Sequence, residues 1–150
     1  AGVAWYDAMA YCRWWSAIAG TTGSLPTEQQ WQRAASGDTG WVYPWGNELD
    51  VTRCNYSRNV GRPTPVTQYD QGVSPNGVYD MSGNVWEWTL TDWTTGENNN
   101  IRTNARRVVR GGSWHVDADF TRAAHRVGFR PSYRSLSFGF RIISASTIHL

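Results

Sequence analysis

Between residues 5 and 19, WYDAMAYCRWWSAIA, the apolar positions Trp5, Ala8, Met9, Cys12, Trp15 and Ala19 recur at steps of three and four. That period predicts an amphipathic helix with these six on its inner face. Asp7 in the first turn suits the positive end of the helix dipole, and Gly20 suits a left-handed C-terminal cap. A second helix is predicted from LPTEQQWQRAAS. Thr27 can cap it, Gln30 can reach back to complete a capping box, and Trp31, Ala34 and Ala35 form its apolar stripe. After Ser36 the texture changes. Turn clusters crowd in (SGDTG, YPWGN, GRPTP, SPNG, MSGN, TGENNN), separated by short apolar pieces: VYD, VWEWTL, RRVVRGGSW and FGFRII. Two helices followed by short, mainly antiparallel strands on long loops define an α+β domain. No internal repeat shows. Only Asn98–Asn100 is low in complexity, which predicts a flexible loop tip.

The pattern fails between the glycine–aromatic frames GGSW and FGFR. Residues 115 to 137 mix apolar, aromatic, acidic and histidine side chains with no period that would bury them. Arg122, Arg126, Arg130 and Arg134 recur every fourth residue there, but Gly128 and Pro131 break any helix that would align them into a phosphate-binding stripe. Composition sharpens this picture. At 150 residues the chain makes one domain with one core, and ten Trp, seven Tyr and 15 Gly imply aromatic packing on irregular backbone. Residues 1–100 carry five Arg against ten Asp and Glu, a net −5. Residues 101–150 carry nine Arg against Asp117 and Asp119, a net +7. With no Lys in the chain, arginine forks that tie loops together explain that basic half better than nucleic-acid binding. No apolar run is long enough to cross a bilayer and no signal-peptide pattern opens the chain, so membrane insertion is not expected and no compartment is assigned. Cys12 and Cys54 are too few for a disulfide scaffold; they can form one bridge, but Cys12 on the inner face of the predicted helix favours two buried free thiols.

WYDAMAYCRW, LPTEQQWQRAA, YPWGN, GVYDMSGNVWEWT, RVVRGGSW, TRAAHR and GFRI occur in an order that resembles the formylglycine-generating enzyme (sulfatase-modifying factor) family, from Trp5 to about Ile142. The resemblance implies a C-type-lectin-like fold of that type. The family normally has further strands before the first helix, which this sequence lacks. Its enzymes oxidise a cysteine of sulfatase substrates with a cysteine pair shortly before the GFR strand, in a copper- and oxygen-dependent reaction. Residues 111–150 contain no cysteine, and Arg122 stands nearest the second family cysteine. The oxidase alternative therefore lacks its thiolates, and no copper is expected.

Within the family, the stretch 111–141 resembles the variable region of proteins diversified by retroelements, which rewrite adenine-containing asparagine codons. The non-frame positions are His115, Val116, Asp117, Asp119, Phe120, His125, Val127, Gly128, Phe129, Tyr133, Ser135, Leu136 and Ser137, and each residue is reachable by that substitution. The resemblance implies a non-catalytic domain that recognises a protein or cell-surface ligand through these side chains. Aromatic residues supply contact area at low entropic cost, and small polar neighbours adapt to the partner. For Phe120 and Leu136, filling the core is an equal alternative. His115, Asp117 and Asp119 alternate, which on a strand makes either a metal site or a solvated edge. The resemblance also implies structural calcium held by Asp80, the carbonyls of Gly83 and Val85, and Glu87. The alternative is that Asp80 caps the turn and Glu87 pairs with an arginine. A second family calcium site near Asn55 and Tyr56 is not expected, because the loop SRNVGRPTP is short. Trp45, Trp86, Trp88 and Trp114 are expected in the core.

Overall fold

A computed structural model describes residues 1–101 and 104–144. Helix α1 spans Trp5–Ala19 and ends on Gly20 at φ 66°, the left-handed cap that its sequence predicts. Asp7 accepts a hydrogen bond from the Ala4 amide at 2.7 Å and so closes the first turn. Trp5, Ala8 and Cys12 are buried. The predicted inner face is too wide, however: Trp15 is half-buried and Ala19 exposed, while Tyr11, Trp14 and Ile18 face outward. Helix α2, Glu28–Ser36, starts at Thr27 with both arms of the capping box in place. It buries Trp31 and Ala35.

The main sheet has four strands in the order β4-β3-β2-β5. They are β2 (Trp86–Asp92), β3 (Arg107–Arg110), β4 (Arg126–Phe129) and β5 (Phe138–Gly139). β2–β3 and β3–β4 are antiparallel, whereas β5 joins β2 in parallel. β1 (Gly23–Ser24) and β6 (Ile143–Ser144) form a separate two-stranded ladder. The apolar piece VYD forms no strand, and FGFRII divides between β5 and β6. Asn98–Asn100 is tied down rather than free, because the Asn98 side chain accepts from Thr91 and the Asn100 carbonyl accepts from the buried Arg107.

The core has two centres. One joins Trp5, Ala8, Cys12 and Leu25 to Trp86, Trp88, Val109 and Phe138; the other packs Trp31 and Ala35 on Met81 and Ala123. Trp86 and Trp88 are buried as expected, but Trp45 and Trp114 are only half-buried. Trp45 stacks on Tyr43 at 5.4 Å instead of entering the core. Cys12 and Cys54 are buried free thiols. Burial pushes the Cys54 thiol up to about 12, which keeps it protonated and inert.

Candidate functional site

The irregular segment hangs from a frame that leaves little freedom. In RGGSW, Gly112 has φ 74°, and a side chain there would press on the Phe120 carbonyl at 2.8 Å. Only glycine satisfies both conditions. The Trp114 carbonyl accepts from the Arg58 amide at 2.6 Å, the Val116 carbonyl from Ser57 at 2.9 Å, and the Trp114 amide donates to Asn84 at 2.9 Å. Beneath the segment, the buried Arg110 donates to Glu28 and to the Ala123 carbonyl, both at 2.5 Å, with its guanidinium 5.0 Å from the Trp31 ring. Glu28 also takes both arms of Arg126, at 2.7 and 2.6 Å. Burial works to raise the Glu28 carboxyl, and Arg126 and Arg110 overcome it and hold the group below the usual carboxylate range.

On this frame six of the thirteen non-frame positions stand outward. His115, Asp117 and Asp119 are exposed; Phe120, Tyr133 and Leu136 keep 40%, 44% and 73% of their surface. Neither Phe120 nor Leu136 fills the core. Residues 115–119 form no strand: residues 114–116 turn and Ala118–Thr121 forms a 3₁₀ helix, so the alternation puts no metal-ligand face together. Asp119 instead pairs with Arg122 at 2.6 Å. His125 lies half-buried between Phe120 at 5.0 Å and Trp86 at 6.0 Å. Burial, with Arg110 and Arg122 nearby, lowers its pKa and keeps the ring neutral. Val116, Val127 and Phe129 are partly spent on the core. Phe129 also meets Tyr133 at 5.1 Å. No ring contact among the described residues joins the Phe120–His125 pair to the Phe129–Tyr133 pair; β4, about 10 Å long, separates them.

Three predicted contact positions belong to the frame. Ser137 keeps 2% of its surface, and its carbonyl accepts the Trp86 amide. The Ser135 hydroxyl accepts the Ser137 amide at 3.3 Å and faces the Ser137 hydroxyl at 3.0 Å, which closes a turn. Gly128 lies under Trp93, where any Cβ would fall inside contact distance of that side chain. Sequence reasoning overlooked a groove of about 550 Å³ beside Arg122 and Ala124, walled by Trp41, Val42, Glu48 and Leu49. Its signal was two exposed aliphatics and a tryptophan flanking YPWGN.

The turn YDMSGN approaches the same frame from below. Gly83 has φ 77° and packs against the Asn55 backbone too closely for a Cβ. Asp80 is held at φ 53°, and one of its oxygens accepts from Asn84 at 2.8 Å. Burial, and secondarily Glu87, pushes the Asp80 carboxyl up to about 6. Glu87 is not free: Trp31 donates to its Oε2 at 2.6 Å, and Arg141 donates to Oε2 at 2.5 Å and to Oε1 at 2.6 Å. The arginine pairing weighed from sequence is therefore present, and it leaves capacity on Oε1 alone. Among the described residues, no group of three or more His, Cys, Asp or Glu side chains lies close enough to hold a metal.

The cysteine-free turn at Arg122, set between RGGSW and FGFR on a C-type-lectin-like frame, invites comparison with known proteins. A model of the sulfatase-modifying factor enzyme 1-like domain matches residues 1–146. The chain belongs to this family. It is 35% identical over 160 residues to an inactive C-alpha-formylglycine-generating enzyme 2 from Bos taurus, covering 96% of this chain and 49% of that protein. It is 34% identical over 155 residues to a hercynine oxygenase from Mycobacterium tuberculosis, covering 93% of this chain and 35% of that protein. The chain thus spans about half or less of these relatives, and family membership includes both an enzyme and a protein named inactive. In fold it superimposes on Treponema denticola variable protein 1 with TM-score 0.82 and 24% identity, covering 94% of this chain and 69% of that one. No helix of the described residues is long and apolar enough to cross a membrane.

Proposed function

We propose that this family member is a non-catalytic recognition domain whose ligand, a protein or cell-surface molecule, meets His115, Asp117, Asp119, Phe120, Tyr133 and Leu136. The carrying observation is that large apolar and aromatic side chains stay in solvent on a segment whose backbone is bonded into a glycine–tryptophan frame. Rigid support with exposed aromatics lowers the entropic cost of binding. The likeness in fold to a variable protein supports this reading, as does the absence of cysteine from residues 111–150. In a displayed library with these six positions randomised, panning against a panel of purified proteins is expected to yield binders. A control library at six exposed positions away from this segment should yield none, and parity between the two would defeat the proposal. The oxidase alternative predicts oxidation of a peptide cysteine with copper and oxygen, read by mass spectrometry; no turnover is expected.

We further propose that Asp80, the Gly83 and Val85 carbonyls and Glu87 Oε1 hold a structural calcium ion. A buried and a half-buried carboxylate next to turn carbonyls suit a hard cation, whose charge would relieve the repulsion that helps raise Asp80. The ion would brace the turn from which Asn84 supports Trp114. Calcium is expected to raise the unfolding temperature of the wild type and leave that of Asp80→Ala unchanged.

A further inference from the structure

Beyond β4 and before β3 lies a second chemistry. Register pairs Arg107 with Phe129. Continued by one step, it sets Arg106 opposite Arg130, and both line one groove of about 410 Å³ with Gly128, Phe129 and Tyr133. Like charges directly opposite on neighbouring strands destabilise a sheet. Among the described residues, five other arginines in this half of the chain are matched: Arg110 and Arg126 by Glu28, Arg122 by Asp119, Arg134 by Asp7 and Arg141 by Glu87. Arg106 and Arg130 are both exposed, and among the described residues neither side chain has a hydrogen bond or ion pair. Phe129 and Tyr133 line the same groove, their rings 5.1 Å apart and tilted by 31°. The groove is thus an aromatic surface bounded by two uncompensated forks, and its size falls in the range of small-ligand sites.

We propose that this groove binds an acidic protein segment, with carboxylates on Arg106 and Arg130 and an apolar or aromatic side chain on Phe129 and Tyr133. The proposal rests on the recognition role above and gives it a ligand chemistry. Guanidinium forks match carboxylates in bidentate fashion. A nucleic acid is the poorer fit: phosphate binding draws on a row of free cations, and here the neighbouring Arg122, Arg126 and Arg134 are already paired.

The test uses the whole chain and a blocked pentapeptide with tyrosine at its centre and two acidic residues on each side, followed by amide chemical shifts. Its counterpart carries asparagine and glutamine in place of the acids. Saturable shifts of the Gly128–Tyr133 amides are expected, at least about tenfold weaker for the neutral peptide. The double variant Arg106→Gln, Arg130→Gln should lose that preference with an unchanged unfolding temperature, and Arg13→Gln should keep it. Equal binding of the two peptides, no shift in these amides, or displacement of the acidic peptide by equimolar oligothymidylate would overturn the proposal. Library binders that depend on His115, Phe120 and Leu136 would leave the recognition role standing even if the acidic peptide showed no preference.

Discussion

GNVWEW and the segment from His115 to Leu136 use similar residue types to opposite ends. In the first, Trp86 and Trp88 are buried, Glu87 is bound by Trp31 and Arg141, and Gly83 fits because it has no side chain. In the second, Phe120, Tyr133 and Leu136 stand in solvent, and Asp117 and Asp119 are exposed beside them. Burial accounts for the difference: the side chains of the frame are enclosed by several neighbours, whereas those of the segment keep one side in solvent, as Tyr133 does while packing on Phe129 and Phe138. Exposed positions of the segment can therefore change at a smaller cost to stability than those of the frame.

The largest effect should come from the frame. Trp88→Ala removes a fully buried ring and should cost about 3–5 kcal/mol in denaturant unfolding. Arg141→Met strands the buried Glu87 and should cost about 3 kcal/mol, unless Glu87→Gln is made with it and recovers part of the loss. Gly83→Ala forces an alanine to φ 77° against the Asn55 backbone, for a loss of about 2 kcal/mol or more.

An intermediate effect is expected from pH. Asp80 has a folded pKa of about 6, above its unfolded value, so its contribution is full under acid conditions and is lost as pH rises through about 6. Without calcium, Asp80→Asn should gain up to about 2 kcal/mol at pH 8, discounted for residual hydration, and nothing at pH 3.5. His125 acts in the opposite sense. Its pKa is lowered, so its contribution is present above the unfolded value near 6.5 and is lost on acidification. His125→Phe should flatten the acid limb of the stability profile. The smallest effect belongs to Leu136: Leu136→Ala should change stability by no more than about 0.5 kcal/mol, whereas Tyr133→Ala should cost about 1 kcal/mol, because its ring packs on Phe129 and Phe138.

Much of the frame was legible because its signals are local. The period of Trp5, Ala8 and Cys12 and the capping box at Thr27 sit within a few residues of what they determine, and both helices follow. Long-range partners left no such trace. That Arg110 reaches Glu28, that the Ser137 carbonyl accepts the Trp86 amide, and that Trp93 covers Gly128 depend on strands meeting from distant parts of the chain. The alternation of His115, Asp117 and Asp119 left a metal site and a solvated edge both open for the same reason. Backbone bonds from Ser57 and Arg58 turn the segment before a strand can form, and those donors lie some sixty residues away in sequence.

The most direct measurement is the thermal unfolding of a single variant with alanine at His115, Asp117, Asp119, Phe120, Tyr133 and Leu136 together. If the frame alone holds the fold, the transition stays cooperative and its midpoint falls by no more than about 5 °C. A fall of about 15 °C or more, or loss of a cooperative transition, would show that these side chains hold the protein together and contradict their assignment to recognition.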